Sequence, residues 1–147
     1  MKKITIIIVD DHRLIRETWT YFINTDPRFK VIGECASGEE ALQVIPQINP
    51  DIVIMDINLP GMNGIQVTQA LNDIATFTSK VLAVSLHTQS SYTKQMLLAG
   101  ARGYVTKNSS KQEMFEALAT IHAGDIYICN EIRKNITTLD PVLNVAV

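Results

Sequence analysis

Residues 4–11 read ITIIIVDD, and this stretch decides the fold. It is an almost unbroken run of β-branched apolar residues, and two aspartates follow the run at once. Two later runs have a similar composition, residues 52–55 (IVIM) and residues 81–84 (VLAV). Short continuous apolar runs are typical of strands that are covered on both faces, as in a parallel sheet. The sequence therefore predicts a buried parallel sheet.

The segments between these runs have the apolar spacing of amphipathic helices. Their apolar positions are Leu14, Ile15, Trp19, Phe22 and Ile23, then Ala41, Leu42, Val44 and Ile45, then Ile65, Val67, Ala70, Leu71 and Ile74. Strands that alternate with helices predict βαβ units. We count five β/α repeats, with the second strand at residues 30–34 and a short fifth strand at residues 101–105.

Local signals mark the ends of several predicted helices. Two pairs have capping-box spacing, Ser37 with Glu40 and Ser110 with Glu113. Pro46 and Pro50 are expected to bound the second helix, because proline lacks the backbone N–H that a helix interior needs. Asn63 and Gly64 are typical of turn chemistry that begins the third helix.

The chain has the size and composition of one globular domain, with 147 residues, 46% hydrophobic and 19% charged. The alternating pattern favours a flavodoxin-like α/β fold, in which five parallel strands have the order 2-1-3-4-5 and helices lie on both faces. The pattern loosens after Gly124. We therefore expect the domain at residues 1–124, and a linker or C-terminal tail at residues 125–147 with a helical turn or two before residue 136.

Charge and cysteine content narrow the classes of function. A formal net charge of −2 gives no basic face of the kind that nucleic-acid binding needs. Cys35 and Cys129 have no metal-ligand spacing, so we expect reduced thiols. No segment approaches the roughly 18 uninterrupted apolar residues of a membrane span, and the N-terminal run reaches Asp10 too early for a secretion signal. We therefore expect a cytoplasmic protein with no membrane partner.

Small polar or charged side chains follow the predicted strands where each strand ends. They are Asp10 and Asp11 after the first strand, Asp56 after the third, Ser85 after the fourth and Lys107 after the fifth. Because the carboxyl ends of parallel strands meet at one edge of the sheet, we expect these side chains in one crevice. Three carboxylates repel one another there, and Mg²⁺ is their natural partner because it favours carboxylates, waters and phosphate oxygens.

Asp56 is the candidate nucleophile of this crevice, since a carboxylate can accept a phosphoryl group as an aspartyl phosphate. Lys107 and the Ser85 hydroxyl could stabilise the phosphoryl oxygens. Two other functions remain open. A phosphohydrolase with an aspartyl nucleophile usually has a second acid two residues later, where this chain has Asn58. A flavin-binding module would need a hydroxyl- and glycine-rich loop where residues 10–13 read DDHR.

Four stretches resemble the receiver domain of two-component response regulators, and most closely the NarL/FixJ (LuxR-type) subfamily. They are residues 9–12 (VDDH), 55–64 (MDINLPGMNG), 84–87 (VSLH) and 99–107 (AGARGYVTK). The likeness extends over residues 4–128 and implies a CheY-like fold. It also implies a signalling domain rather than an enzyme, with at most slow autophosphorylation and autodephosphorylation.

The resemblance implies a phosphate and metal site. Asp56 would be the phospho-acceptor, and Lys107 would be the counter-ion of the phosphate. Asp11, Asp56 and the backbone carbonyl of Asn58 would ligate Mg²⁺, while Asp10 would hold the metal mainly through water.

The resemblance implies a switch as well. Ser85 and Tyr104 would be the switch pair, with Ser85 moving toward the phosphate and Tyr104 turning inward. An aromatic residue on a short edge strand is also typical of plain packing. Asn58 and His87 lie two positions beyond Asp56 and Ser85, and by the resemblance they would tune the lifetime of the phosphate.

The implied partners are a sensor histidine kinase and, after phosphorylation, a second copy of the chain. Relatives of this subfamily usually continue into a helix-turn-helix domain, so DNA would be bound only through a C-terminal domain not in this chain. A stand-alone receiver or phosphorelay module remains the alternative. One departure from the family is Asn108, because many receivers have a proline after the lysine, in a cis peptide. The geometry beside Lys107 therefore stays open.

Overall fold

The computed structural model describes residues 2–134, which form a parallel sheet with helices on both faces. The strands are β1 (Ile4–Val9), β2 (Phe29–Cys35), β3 (Ile52–Asp56), β4 (Lys80–Ser85), β5 (Gly103–Thr106) and β6 (Tyr127–Ile128). The helices are α1 (Arg13–Asn24), α2 (Gly38–Ile48), α3 (Gly64–Asn72), α4 (Ser90–Ala99), α5 (Lys111–His122) and α6 (Asn130–Arg133). None of these helices has the length and apolar character that a membrane span requires.

The sheet has the strand order β2-β1-β3-β4-β5-β6, and every pairing is parallel. The predicted order 2-1-3-4-5 is confirmed, while the expected number of five strands is one too few. The sixth strand lies where the sequence predicts a linker or tail. It pairs beside β5 through bonds from Tyr127 N to Arg102 O at 3.1 Å and from Cys129 N to Tyr104 O at 3.0 Å. A two-residue strand has no periodicity that a sequence pattern can reveal.

The core lies on both sides of the central strands. Every residue of β3 is buried, as are residues 6–9 of β1 and residues 81–85 of β4. On one face α2, α3 and α4 contact each other in succession. On the other face α1 lies beside α5, where the Lys111 ammonium is 5.1 Å from the centroid of the Phe22 ring. Full coverage explains why the strand sequences lack polar alternation.

The helix ends follow the predicted signals in part. The Ser37 and Ser110 hydroxyls accept the backbone N–H of Glu40 at 3.1 Å and of Glu113 at 3.0 Å. The reciprocal bond of a full capping box is instead made at the start of α3, between Asn63 and Gln66. The prediction that Pro46 bounds α2 is wrong. Pro46 lies in the last turn, where the helix continues to Ile48 and ends at residue 49 in the left-handed conformation, with φ of 52°.

Candidate functional site

The predicted strand-end residues come together at one edge of the sheet. Asp56 ends β3, Ser85 ends β4, and Asp10 and Lys107 directly follow β1 and β5. The Lys107 Nζ lies 3.3 Å from Asp10 Oδ2 and 3.3 Å from Asp56 Oδ2. One ammonium therefore bridges two carboxylates from neighbouring strands, as expected where parallel strands end side by side.

Burial sets the charge balance of this cluster. The side chains of Asp56, Asp10 and Lys107 are 1%, 5% and 12% exposed. Burial raises the pKa of Asp56 above its ordinary value, and the nearby negative charge of Asp10 raises it further. The Lys107 ammonium and the backbone N–H of Asn58 oppose that rise. The site is thus short of positive charge, which favours the arrival of a cation.

The donor atoms of the cluster fit a hard divalent cation. Asp10, Asp11, His12 and Asp56 each offer a ligand atom, and these atoms all lie within 4.8 Å of one another. Asp11 Oδ1 is a buried oxygen that accepts no hydrogen bond in the described chain. The Nδ1 of His12 is 3.3 Å from it but makes a closer contact of 3.0 Å with Asp10 Oδ1. Carboxylate oxygens suit Mg²⁺, so the three acids are fit to hold this ion; the carbonyl of Asn58 remains a predicted ligand.

The turn after β1 is held by a residue that sequence reasoning did not single out. The Arg16 Nη1 donates to the backbone carbonyl of Asp10 at 2.7 Å, and its Nε donates to Glu34 Oε1 at 3.0 Å. The backbone N–H of Asp10 donates in turn to Cys35 O at 3.1 Å. Arg16 is six residues from Asp10, and its second partner lies on β2, so no short motif could reveal these contacts.

The predicted switch residues form a second group beside the acids. Ser85 and Tyr104 are fully buried. The Ser85 hydroxyl accepts the backbone N–H of His87 at 3.0 Å, and the Tyr104 hydroxyl donates to the His87 carbonyl at 2.9 Å. Burial raises the pKa of Tyr104 to about 12, which keeps its hydroxyl protonated as a donor. Both side chains therefore hold the loop between β4 and α4.

His87 also joins the two loops next to Asp56. Its Nε2 lies 3.0 Å from Asn58 Oδ1, and its ring stacks on Tyr92 of α4, with the two ring centroids 3.9 Å apart and the planes 12° from parallel. The two predicted lifetime residues are thus in direct contact, and Tyr92 is a partner that the sequence did not indicate. Asn58 and Tyr92 line an open cleft of about 540 Å³ that Asp11 also borders.

The backbone around the site accommodates these contacts. All peptide bonds of the described chain are trans, which includes the bond between Lys107 and Asn108. Lys107 N donates to Ser85 O at 2.9 Å and so ties the loop after β5 to β4. A Cβ at Gly64 would lie 2.2 Å from the Asp56 carbonyl oxygen. Only glycine allows α3 to begin so close to the end of β3.

Known proteins share this sequence pattern. Residues 6–119 match the family of the response regulator receiver domain. The chain is 36% identical over 135 residues to the transcriptional regulatory protein DegU of Brevibacillus brevis, covering 91% of this chain and 56% of DegU. It is 34% identical over 137 residues to the response regulator GacA of Pseudomonas viridiflava, covering 90% of this chain and 62% of GacA. The chain thus spans somewhat over half the length of these relatives.

Solved structures share the fold. A LuxR-family two-component response regulator from Aurantimonas sp. SI85-9A1 is 33% identical, with a TM-score of 0.87 over 92% of this chain and 96% of that one. The receiver domain of the response regulator NarL from Mycobacterium tuberculosis is 31% identical, with a TM-score of 0.80 over 84% and 99% of the two chains.

The fold and the strand-end site together define a receiver domain, a signalling module rather than a catalytic enzyme. The chain belongs to the response regulator receiver family, as the match over residues 6–119 shows. Within that family its relatives place it in the NarL/FixJ, or LuxR-type, subfamily.

Proposed function

We propose that Asp56 accepts a phosphoryl group from the phosphohistidine of a sensor kinase, with Mg²⁺ held at the neighbouring acids. The observation that carries this proposal is the Lys107 ammonium, 3.3 Å from both the Asp10 and the Asp56 carboxylates. A buried carboxylate that shares a cation with Asp10 and lies beside an acid oxygen without a hydrogen-bond donor is suited to receive a phosphoryl group. Phosphoryl transfer needs mainly positioning and charge stabilisation from the protein.

In the proposed transfer an Asp56 carboxylate oxygen attacks phosphorus. The new O–P bond forms as the P–N bond to the kinase histidine breaks, and the imidazole leaves with the electron pair. Lys107 balances the phosphoryl charge, and the Ser85 hydroxyl turns from His87 N toward a phosphoryl oxygen. Asp11, Asp56 and the Asn58 carbonyl would ligate Mg²⁺, with Asp10 acting through water. When bound, the ion would neutralise the charge of the acids and of the incoming phosphate.

The proposed output is a shift between two conformations, with Ser85 and Tyr104 as the switch pair. Tyr104 is fully buried in this structure. Phosphorylation can only change the balance between the forms by its differential stabilisation of one of them. The Ser85 hydroxyl links the phosphate site to the β4–α4 loop that Tyr104 holds, and Asn58 with His87 would set the lifetime of the phosphate.

We assign the receiver function to residues 1–124 and the route to an output domain to residues 125–147. The length of the relatives supports a longer protein, since the chain covers only 56% of DegU. In that protein a C-terminal domain would bind DNA and control transcription. Phosphorylation would favour a homodimer, and the domain would work in the cytoplasm beside its kinase. A solved structure of the more distant regulator RcsB, described as two dimers bound to two parallel DNAs, shares the fold.

Intact-mass spectrometry after incubation with acetyl phosphate and Mg²⁺ tests the proposal. The wild type is expected to gain one phosphoryl group, whereas Asp56→Asn and wild type in EDTA should gain none. The matched control is Asp73→Asn, which removes an exposed aspartate after α3 and should leave the gain intact. An unchanged wild-type mass, or a full gain in Asp56→Asn, contradicts the proposal.

A further inference from the structure

We propose that Arg16 is a positioning residue that fixes the peptide between Asp10 and Asp11, and that it thereby sets the affinity of the acidic site for Mg²⁺. This inference rests on the proposed function, because it concerns the metal that would assist phosphoryl transfer. Arg16 lies outside the four sequence stretches on which the resemblance was based, and its side chain contacts neither Asp56 nor Lys107 in the described hydrogen bonds.

The guanidinium of Arg16 forms a fork, with one hydrogen bond to the residue that follows β1 and another to β2. Its Nη1 donates to the Asp10 carbonyl at 2.7 Å, and its Nε donates to Glu34 Oε1 at 3.0 Å. The Arg16 side chain is only 14% exposed, and the Glu34 side chain is 35% exposed. A guanidinium is planar and offers several donors in fixed directions, so holding both partners restricts its orientation.

The backbone of Asp10 is consequently fixed on both sides. Its N–H donates to Cys35 O at 3.1 Å, and its carbonyl accepts from Arg16. Since that carbonyl belongs to the peptide bond leading to Asp11, the bond to Arg16 orients the plane from which Asp11 projects. Arg16 thus acts on the Asp11 carboxylate through the backbone.

Asp11 is the acid that most needs this support. Asp10 is anchored by Lys107 and by the backbone N–H of His12, at 3.3 Å and 2.8 Å, and the Asp56 carboxylate accepts the backbone N–H of Asn58 at 3.1 Å. Asp11 Oδ1 accepts no hydrogen bond in the described chain, although it is buried. This oxygen lies 3.3 Å from His12 Nδ1, but that nitrogen is closer to Asp10 Oδ1, at 3.0 Å. The direction of the Asp11 carboxylate therefore depends mainly on its backbone. Residues that orient metal ligands typically change metal affinity 10- to 100-fold when they are lost.

The test measures how Mg²⁺ raises the thermal unfolding midpoint, with each variant compared with itself in EDTA. Any general loss of stability then cancels, and the Mg²⁺ dependence gives the dissociation constant. We expect Arg16→Met to weaken Mg²⁺ binding about 10-fold. The matched control is Arg13→Met on the same helix, because Arg13 is 83% exposed and pairs only with Glu17 among the ion pairs described.

A second variant separates geometry from charge. Arg16→Lys keeps the positive charge but cannot offer the planar fork, so we expect it to weaken Mg²⁺ binding nearly as much as Arg16→Met. Glu34→Ala removes the anchor of the fork and should weaken binding in the same direction by a smaller factor. Wild-type affinity in Arg16→Lys would show an effect of charge alone and overturn the inference.

The outcomes also separate this inference from the proposed function. If Mg²⁺ stabilises the wild type and Arg16→Met equally, the positioning role is refuted while the metal site stands. If Mg²⁺ fails to stabilise the wild type at any concentration, both proposals are contradicted. Weakened binding in the Arg16 variants together with unchanged binding in Arg13→Met supports both.

Discussion

Asp56 is a buried carboxylate whose neighbours act on its charge in opposite directions. Burial and Asp10 disfavour the ionised form, while Lys107 and the Asn58 N–H favour it, and the net effect is a raised pKa. A group whose charge is disfavoured in the folded state lowers stability when it is ionised. The residue that we expect to react is therefore one that the apo protein holds at a cost to its stability.

Replacing Asp56 by Asn is expected to increase the free energy of unfolding in Mg²⁺-free buffer. The raised pKa means that the folded state binds the proton more tightly than the unfolded state, so wild-type stability falls as pH rises through that window. The increase in the free energy of unfolding caused by Asp56→Asn should be largest at neutral pH. It should become smaller as the pH is lowered toward the ordinary pKa of aspartate. Urea denaturation between pH 4 and 8, with EDTA present, measures it. A variant that is less stable than the wild type at pH 7 contradicts this reading of the charge balance.

His87 and Asn58 form the second residue-scale feature, a side-chain contact of 3.0 Å beside the acceptor. Replacing His87 by Ala should speed the loss of phosphate about fivefold, the rate equivalent of one hydrogen bond of about 1 kcal/mol. The physical reason is that His87 holds the side chain of Asn58, which lines the cleft beside Asp11, and we expect water to approach Asp56 from this side. Time-resolved mass spectrometry of the phosphorylated protein measures the rate. His122→Ala, at an exposed position, is the control, and an equal lifetime in both variants excludes a shielding role.

Besides the pairing of β6 with β5, one residue of α5 contacts both β6 and the start of α6. Glu113 Oε2 accepts the Tyr127 hydroxyl at 2.8 Å and the Asn130 backbone N–H at 3.0 Å. The Arg133 guanidinium lies 5.5 Å from the centroid of the Tyr127 ring. Because β6 pairs with β5, which carries Tyr104, the segment that leads out of the domain is bonded to the strand of the proposed switch.

Tyr127→Phe should lower the free energy of unfolding by about 1 kcal/mol, since it removes a hydrogen bond to a charged group at a mostly buried position. Tyr21→Phe makes the same chemical change at a position that is 69% exposed, and it should have almost no effect. Urea denaturation of the two variants gives the comparison. Equal values for both would mean that the contact with Glu113 does not hold β6 in place.

At this scale the sequence predicts the elements whose signal is local. The runs at residues 4–9 and 52–55 are long and apolar enough to indicate buried strands, and the structure has a strand at each of them, β1 and β3. The sequence did not predict β6, because a strand of two residues has no recognisable pattern. Backbone hydrogen bonds to Arg102 and Tyr104 hold it in place. Pro46 was misleading because a proline inside a helix removes only its own hydrogen bond to the preceding turn, and α2 continues for just two residues beyond it, to Ile48.

The candidate site divides in the same way. Its acids and Lys107 could be predicted because each follows an apolar strand, and strand order brings those ends together. Arg16 and Tyr92 could not, since their partners Glu34 and His87 lie on other elements. Residues that react are placed by strand ends, whereas residues that support them are placed by tertiary packing.

The whole molecule is expected to associate when it is phosphorylated. Large apolar side chains are exposed on two of its helices, with Leu14 and Tyr21 of α1 at 75% and 69% and Leu98 of α4 at 68%. Exposed apolar groups of this size are available to an interface if the conformational change aligns them. The site at the strand ends would then control a surface at some distance from it.

Light scattering with beryllofluoride and Mg²⁺, which stand in for the phosphoryl group, tests this expectation. The average mass of the wild type should rise toward twice that of the monomer, whereas Asp56→Asn should be unaffected. An identical mass with and without beryllofluoride would contradict phosphorylation-driven association and leave the acceptor site itself intact.

The most direct test of the central claim is to locate the phosphoryl group on the chain. After incubation with acetyl phosphate and Mg²⁺, borohydride reduction converts an aspartyl phosphate into homoserine, which peptide mass spectrometry can place in the sequence. The account predicts homoserine at position 56 alone, with the signal lost in EDTA. Modification at position 10 or 11, or at 56 in equal amount without the metal, would contradict it.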